Sequence, residues 1–444
     1  MIDIEMINKQ EPSLGRNRFS ALLFIYIIYI LAIIHTYDSQ IAKDNVYAGL
    51  HPWEITGIGW IYLFIVSISI VFIVSSLKGN PSDFFIILYS FISIASFLSL
   101  TSTSGRVSES TLLPSLTVII LPIVSVFLAQ NFLPKTKWRG IVSTNIIIRV
   151  ILGVMALSIF YSYLNSPEGA GFDIINSYDR RLKGRDIYAD GSLIAYALAM
   201  SMNGIAPYLA FKSIVNKHKV LIFIAFGSAI YYYWLIGVKA PMAYVIISCL
   251  VGYLTRRNYL KYFAEYFLIG VVGLYFLVLI EWLFFENYSI IADYFFRRLF
   301  SVQAEIQGYY LDFLFVNTPS FWSFLSGSDD KLFAATFYIG ESYQGNPDSN
   351  ANTNAFLHAF IKNGIIGYLV AIFFVSIFLV LLDRLYRSTK NPAYMLIGFV
   401  YAYLVIEQAF TTALLSSGVG LLFILTLFEK FDSSIAHDNY TNSL

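Results

Sequence analysis

Long apolar runs separated by short polar connections make up most of this chain. A membrane-spanning helix needs about 20 mainly apolar residues. Twelve runs come near that length: 19–37, 55–77, 84–101, 113–133, 141–164, 192–211, 220–238, 240–254, 263–284, 364–382, 393–412 and 413–428. The connections at 239–240 and 412–413 are tight, so the pattern predicts about ten to twelve spans. We therefore expect an all-α polytopic membrane protein in which residues 1–444 form a single integral membrane domain.

The composition supports this class. Of the 444 residues, 57% are hydrophobic, 18% aromatic and only 13% charged, and the mean hydropathy is +0.67. Soluble domains carry roughly a quarter charged residues. The net charge of +1 provides no field that would attract nucleic acid, so no nucleic-acid partner is expected. The single cysteine, Cys249, lies inside an apolar run, which excludes a disulfide framework within the chain and a thiol metal site.

Positive charges predict the orientation, because short cytoplasmic connections are enriched in Lys and Arg. With the N-terminus inside, most Lys and Arg residues fall in cytoplasmic segments, and both termini are cytoplasmic. Two connections on the opposite side are long, residues 165–191 and residues 286–363. No small-residue cleavage site follows the first run, so we expect a retained span and not a signal peptide.

Each long outer connection contains a cluster of arginines, against the usual charge bias. The segment YDRRLKGRDIYADG contains Arg180, Arg181 and Arg185, and the segment FFRRLF contains Arg297 and Arg298. Guanidinium groups bind phosphate in a bidentate manner, and at this depth the phosphate would be the headgroup of a lipid-linked compound. Pairing with neighbouring Asp and Glu residues and anchoring to anionic lipid are the alternatives.

On a helical wheel the second cluster predicts an amphipathic helix beyond the ninth span. Its apolar stripe would face the bilayer interface or other helices, and would consist of Phe295, Leu299, Val302, Ile306 and Tyr309. Its opposite face would be polar and would contain Arg297, Arg298, Ser301 and Glu305, flanked by Ala304 and Gly308. Small residues beside the guanidiniums would let a bulky ligand approach closely.

The two clusters share a spacing, Arg-x10-Gly, formed by Arg180 with Gly191 and by Arg297 with Gly308. The tight outer turn in IGVKAPMAYVII also carries a cation, Lys239, directly before a span. In both features the chain resembles the Wzy-type O-antigen polymerases, a family of surface-polysaccharide polymerases related to the O-antigen ligases. Some of these polymerases repeat Arg-x10-Gly in two large periplasmic loops, and the family often has arginine at the position of Lys239.

The segment NTNAFLHAFIKNGIIGYL is similar to the one that ends the large loop in this family. The shared pattern is Asn354 followed by Gly364 and Gly367. Ligases typically have histidine immediately before the asparagine, whereas this chain has Thr353 there and its nearest histidine, His358, one helical turn away. This difference disfavours a ligase.

The resemblance implies a membrane glycosyltransferase of the bacterial inner membrane. It would transfer a growing glycan from its undecaprenyl diphosphate carrier onto an undecaprenyl-diphosphate-linked repeat unit at the periplasmic face. Because the leaving diphosphate is already activated, neither a metal nor a cofactor is expected. Cations would neutralise charge on the leaving diphosphate, and a base would help to deprotonate the acceptor hydroxyl. The expected partners are the carrier-linked donor and acceptor, membrane lipid and a chain-length regulator protein.

These roles divide the candidate residues into two groups. The catalytic group consists of Arg297, Arg298 and Glu305. The substrate-binding group consists of Arg180, Arg181, Arg185, Lys239, Asn354, His358, Gly191 and Gly308. The sequence does not choose the base, since the alternatives to Glu305 are Glu341, Asp186 and Asp190. Two acidic residues near the outer ends of spans could line the same cavity, namely Glu281 and Glu407.

Three other functions are open. An O-antigen ligase would use the same substrate class, as would a lipid-linked oligosaccharide flippase of about twelve spans. Flippases and other secondary transporters are built from repeats, and the long connection after the ninth span has no counterpart in the first half of the chain. A membrane scaffold without catalysis would leave the outward arginines unexplained.

Overall fold

The computed structural model describes residues 11–46, 50–101, 107–132, 138, 140–167, 169–173, 176–188, 192–285, 289–316, 335–347 and 349–430. Within them, nine helices are long and apolar enough to cross a membrane: Asn17–Ile41, Gly57–Ser75, Asp83–Thr101, Glu109–Ala129, Thr144–Leu164, Leu193–Asn216, Lys219–Ile236, Leu260–Phe284 and Ala355–Thr389. Three shorter apolar helices are Ala240–Arg256, Ala393–Glu407 and Val419–Phe428. Each predicted run is therefore largely helical, and the predicted all-α class with many apolar helices is confirmed.

We name the helices in chain order. The first half contains α1 (Glu11–Thr36), α2 (Gly57–Ser75), α3 (Asp83–Leu88), α4 (Glu109–Ala129), α5 (Thr144–Leu164), α6 (Ser177–Ile187), α7 (Leu193–Met200), α8 (Ala206–Asn216) and α9 (Lys219–Ile236). The second half contains α10 (Ala240–Arg256), α11 (Phe263–Phe284), α12 (Val302–Val316), α13 (Ala335–Gln344), α14 (Ala355–Thr389), α15 (Ala393–Glu407), α16 (Phe410–Leu415) and α17 (Val419–Phe428).

Irregular turns and one short ladder complete the described elements. π-helical turns continue α1 (Tyr37–Ile41), α3 (Tyr89–Ile94 and Phe97–Thr101) and α7 (Ser201–Ile205), and a 3-10 turn precedes α11 (Leu260–Tyr262). A longer π-helical stretch, Ala292–Ser301, leads into α12, and we call it the π segment. Two residues of β1 (Val142–Ser143) pair in parallel with β2 (Glu429–Lys430).

One predicted boundary coincides with a break in a helix, and one is wrong. The span predicted to start at residue 364 lies in α14, whose backbone is not helical at Asn363 and Gly364, and at Gly364 φ is +62° and ψ is −164°. Glycine adopts this conformation without the steric cost that other residues have. The predicted division at 412–413 is displaced, because α15 ends at Glu407 and Gln408 is extended. The end of the connection predicted at 286–363 is itself helical from Ala355 up to the break.

Helix ends that the sequence predicts on the cytoplasmic side contact one another. Arg18 in α1 forms an ion pair of 2.7 Å with Glu265 of α11 and donates to carbonyl groups at the end of α2. The backbone nitrogen and hydroxyl of Ser82, before α3, donate to Asp383 near the end of α14 at 2.8 and 2.6 Å. These contacts involve the starts of the first, third and ninth apolar runs and the ends of the second and tenth. Such ends lie on the same side of a membrane when successive spans alternate in direction. That this end faces the cytoplasm stays a prediction.

The same end contains a buried ion pair. Lys212 of α8 donates to both carboxylate oxygens of Glu429 at 2.8 and 3.1 Å, and the two side chains are 1% and 0% exposed. Asn391 donates to Glu429 at 2.8 Å. Burial alone would raise the pKa of Glu429, but the charge of Lys212 and these hydrogen bonds outweigh it and hold the pKa below its usual value. The pair fixes the end of α17 against α8.

The π segment and α12 lie inside the helix bundle. Phe300 packs edge-on against Tyr29 of α1, with ring centroids 5.8 Å apart. Further along, Gln307 donates to Ser93 in the buried α3 region at 2.8 Å. A sequence segment predicted as part of an outer connection therefore fills a core position between α1 and α3.

The predicted apolar and polar faces of this segment are only partly correct. Ile306 and Tyr309 of the predicted apolar stripe are buried, whereas Phe295 and Leu299 are partly exposed. Ser301 and Glu305, assigned to the polar face, are 2% and 6% exposed. Before Val302 the π-helical hydrogen bonds run from i to i+5, so the 3.6-residue period does not apply there, and α12 is buried on more than one side. The buried face instead includes two large aromatic rings and belongs to the bundle, not to a bilayer interface.

Candidate anion-binding site at the outer helix ends

The short turn between α9 and α10 lies between the two long outer connections. From the first connection, α6 packs so closely against α9 that a Cβ atom at Gly184 would lie 2.7 Å from the Ile236 side chain. From the second, Tyr294 of the π segment lies beside Lys239, whose Nζ is 5.0 Å from the ring centroid. Three cation-bearing segments that are distant in sequence therefore meet at one end of the bundle.

Arg180 of α6 provides a buried cation at this end. Its side chain is 3% exposed, and its Cζ lies 5.7 Å from the ring centroid of Tyr233 in α9. Its Nε and Nη2 have no hydrogen-bond partner in the described ranges of the chain. A guanidinium is always charged in proteins, and buried charges are normally paired. Within the described residues these two nitrogens are therefore open to an anionic ligand.

Helix α6 is fixed in place by its C-terminal tyrosine. The hydroxyl of Tyr188 donates to the carbonyl oxygens of Ser162 and Asn165, both at 3.0 Å, at the end of α5. Burial, together with the nearby Tyr231, raises the pKa of Tyr188 to about 12. The hydroxyl therefore stays a hydrogen-bond donor at neutral pH and anchors the helix that positions Arg180.

In the second arginine cluster, Arg297 is paired with an acidic side chain and Arg298 is exposed. Arg297 forms an ion pair within the π segment, from its Nε to Oδ1 of Asp293 at 2.6 Å, and its side chain is 17% exposed. The local pairing considered as an alternative thus occurs for this residue. Because the pair uses Nε, it leaves the terminal guanidinium nitrogens for a ligand. Arg298 is exposed.

The remaining candidates of the first connection are only partly described. Arg181 is exposed on α6. The side chain of Arg185 and the whole of Gly191 lie outside the described residues, as do the side chain of Asp186 and the whole of Asp190. The structure therefore brings Arg180 together with the α9–α10 turn, and the other members of this cluster stay predictions.

Asn354 has a structural role at the start of α14. It is fully buried, and its Oδ1 accepts from the backbone nitrogens of Phe356 and Leu357 at 3.1 and 3.0 Å. Asparagine is among the preferred residues for such an N-cap. His358 follows one turn later and is partly buried. The segment resembling the family motif therefore forms a capped helix start, which fixes the end of the second connection.

Glu305 and Gly308 lie where α12 packs inside the helix bundle. Glu305 is 6% exposed within α12. A Cβ atom at Gly308 would lie 2.4 Å from Cγ2 of Thr101, at the end of the α3 region. Gly308 therefore allows α12 to approach that region closely. Among the described residues no group of three or more His, Cys, Asp or Glu side chains could hold a metal ion.

Replacing Gly308 with alanine is expected to destabilise the protein by about 1–3 kcal/mol, because overpacking forces neighbouring atoms apart. Thr101 cannot rotate away without losing its hydrogen bond to the carbonyl of Ala304. Thermal unfolding of the purified protein in detergent measures the effect. Gly270→Ala is the matched control: that helical position has open space around it, and the change should be neutral or stabilising by up to about 1 kcal/mol. Equal melting temperatures for both variants would contradict the close approach.

Sequence reasoning missed the aromatic partners of the cations. Tyr233 lies in an apolar run typical of a span, and Tyr294 precedes the arginines of the π segment; neither carries a signal of its own. An aromatic face within about 6 Å stabilises a cation, and only the fold brings these rings to Arg180 and Lys239.

Comparisons with protein-family models, with curated proteins and with solved structures found no match for this chain.

Proposed function

We propose that the chain is a surface-polysaccharide polymerase of the bacterial inner membrane, with both termini cytoplasmic. It transfers a growing glycan from its undecaprenyl diphosphate carrier onto a repeat unit linked to a second undecaprenyl diphosphate. The observation that carries the proposal is the convergence of Arg180, Lys239 and the segment of Arg297 at one end of the bundle. The expected partners are the two carrier-linked glycans, membrane lipid and a chain-length regulator.

The chemistry of the leaving group fits this set of cations. A diphosphate accumulates negative charge as its bond to the glycan breaks, and positioned cations stabilise that charge most where water is excluded. Arg180, 3% exposed and without a hydrogen-bond partner for Nε and Nη2 in the described ranges, is such a group. The terminal nitrogens of Arg297 supply a planar fork that matches phosphate oxygens. Lys239 adds a point charge.

Two features favour a polymerase over the related functions. Thr353, at the position where ligases have histidine, has a neutral hydroxyl in place of a basic ring and is 1% exposed. The connection with the π segment, α12 and α13 has no counterpart among the described residues of the first half, which is unlike the repeats of secondary transporters. The diphosphate site and the asymmetric outer connection together support group transfer.

Deletion of the gene in the native host tests the function directly. A polymerase predicts that the ladder of surface glycan on a gel collapses to a single repeat unit, because export and attachment continue. Complete loss of attached repeats, with accumulation of carrier-linked polymer, would indicate a ligase. Loss without such polymer outside would indicate a flippase, and an unchanged ladder would exclude this pathway.

Arg297→Ala is expected to abolish long polymer in the complemented deletion strain while the protein stays in the membrane. Loss of one positioned donor to a developing anion typically lowers the rate about 10²- to 10³-fold. Arg297→Lys is the matched variant: it keeps the charge but not the fork and should retain only short chains. Glycan gels with immunoblots of the membrane fraction measure both, and wild-type chain lengths in Arg297→Ala would contradict a phosphate role.

A further inference from the structure

Two described carboxylates among the second connection and its flanking helix have cationic or backbone partners. Asp293 pairs with Arg297, and Glu281 accepts from the hydroxyl of Ser289 and the backbone nitrogen of Ile291. Glu341 of α13, an alternative base, is exposed. A carboxylate that is paired with a guanidinium or caps a helix is a poor proton acceptor, because its charged form is already stabilised. Glu305 is 6% exposed inside α12.

Glu407 differs from Asp293 and Glu281 because its partner is a tyrosine hydroxyl, as it is for Asp312, which accepts from Tyr343. It is the last residue of α15, it is partly exposed, and its Oε1 accepts a hydrogen bond of 2.9 Å from the hydroxyl of Tyr403, one turn earlier. A neutral hydroxyl fixes the carboxylate without neutralising it. The chain then leaves the helix at Gln408, which is extended, so Glu407 lies at the open end of its helix.

Two contacts place Glu407 between the cationic segments. Gln303 of α12 donates to the carbonyl of Ile406 at 3.1 Å, and it follows Arg297 by six residues. On the other side, Tyr403 packs edge-on against Tyr244 of α10, with ring centroids 5.3 Å apart. Tyr244 lies five residues after Lys239, or about 7 Å along the chain at roughly 1.5 Å per residue.

A small, mostly apolar cavity borders Tyr403. It has a volume of about 10 Å³ and is lined by both tyrosines with Asn203, Ser248 and apolar residues of α15. That volume is about the smallest that holds one water molecule. The tyrosine that donates to Glu407 therefore borders a space of about the size of one water molecule.

We propose that Glu407 is the general base of the transfer reaction, positioned by Tyr403. The inference rests on the proposed function. The acceptor hydroxyl oxygen forms a bond to the anomeric carbon of the donor glycan while the bond from that carbon to the diphosphate oxygen breaks. The bonding electron pair leaves with the diphosphate, whose charge the arginines neutralise, and the hydroxyl proton moves to the carboxylate of Glu407. A base in this position contributes about 10²- to 10⁴-fold to the rate.

Steady-state kinetics of the purified full-length protein in liposomes, with a lipid-diphosphate-linked repeat unit as both donor and acceptor, test the base. Glu407→Gln should lower kcat by about 10²- to 10⁴-fold with a KM close to wild type. Glu407→Asp should retain part of the activity, and Tyr403→Phe should have a smaller effect because it removes only the positioning hydrogen bond. Thermal unfolding of each variant shows that it is folded.

The outcomes separate this inference from the function on which it rests. Wild-type kcat in folded Glu407→Gln, with activity lost in Arg297→Ala, would overturn the role of Glu407 and leave the polymerase intact. A raised KM with unchanged kcat would also overturn it, since that pattern indicates substrate binding without proton transfer. Wild-type protein that forms no polymer would overturn the polymerase itself.

Discussion

Arg180→Ala is expected to eliminate long polymer, with a rate about 10²- to 10³-fold below wild type. The guanidinium is buried over the ring of Tyr233, and its Nε and Nη2 have no hydrogen-bond partner in the described part of the chain. An anion at this position would satisfy two guanidinium nitrogens that have no partner among the described residues, so the substitution removes binding energy from a cation that is 3% exposed. Polymer length on gels and donor turnover in liposomes measure the effect.

Two matched variants distinguish the loss of the Arg180 charge from the loss of its side-chain packing. Lys183→Ala removes an exposed cation from the same helix and should leave the polymer unchanged. Arg180→Met keeps a long apolar stem against Tyr233 and should be as inactive as alanine, but at least as stable as wild type, because an unpaired buried charge is costly. Long polymer made by Arg180→Met would contradict an anion-binding role.

Lys212→Met is expected to destabilise the protein by about 3–5 kcal/mol, because it leaves the carboxylate of Glu429 buried without its cation. The two side chains are 1% and 0% exposed and joined at 2.8 Å, so water cannot replace the lost partner. The end of α17 should then detach from α8. Thermal unfolding in detergent, or proteolysis of the C-terminal segment in membranes, measures this loss.

Two further variants control for the change in side chain. Lys219→Ala removes an exposed cation in the same region and should change stability by less than about 0.5 kcal/mol. The double variant Lys212→Met with Glu429→Leu removes both charges and should recover a large part of the loss. A single variant as stable as wild type would show that the ion pair has no structural role.

The apolar runs predicted the helices well because the physical requirement is local. A run of about 20 apolar residues must bury its backbone hydrogen bonds within itself in lipid. The interruption at Gln408 was placed less well, since it depends on how neighbouring helices pack. The pairing of Lys212 with Glu429 joins residues that are 217 positions apart, and no local pattern indicates it.

The π segment shows why the candidate site was only partly predictable. A helical wheel assumes 3.6 residues per turn, and that assumption assigned Ser301 and Glu305 to an exposed polar face. The structure buries both. Charge bias alone selected Arg180 and Arg297 as candidates, because arginines in predicted outer connections near spans are unusual whatever the local geometry. The aromatic rings beside Arg180 and Lys239 come together with them only through tertiary packing.

The most direct test of a polymerase is reconstitution. The purified protein is placed in liposomes with a single lipid-diphosphate-linked repeat unit from its native host, and the products are separated by size. A polymerase yields a ladder of carrier-linked oligomers and releases one undecaprenyl diphosphate for each bond formed. Repeat units that stay monomeric, with no diphosphate carrier released by folded protein, would contradict the proposed function.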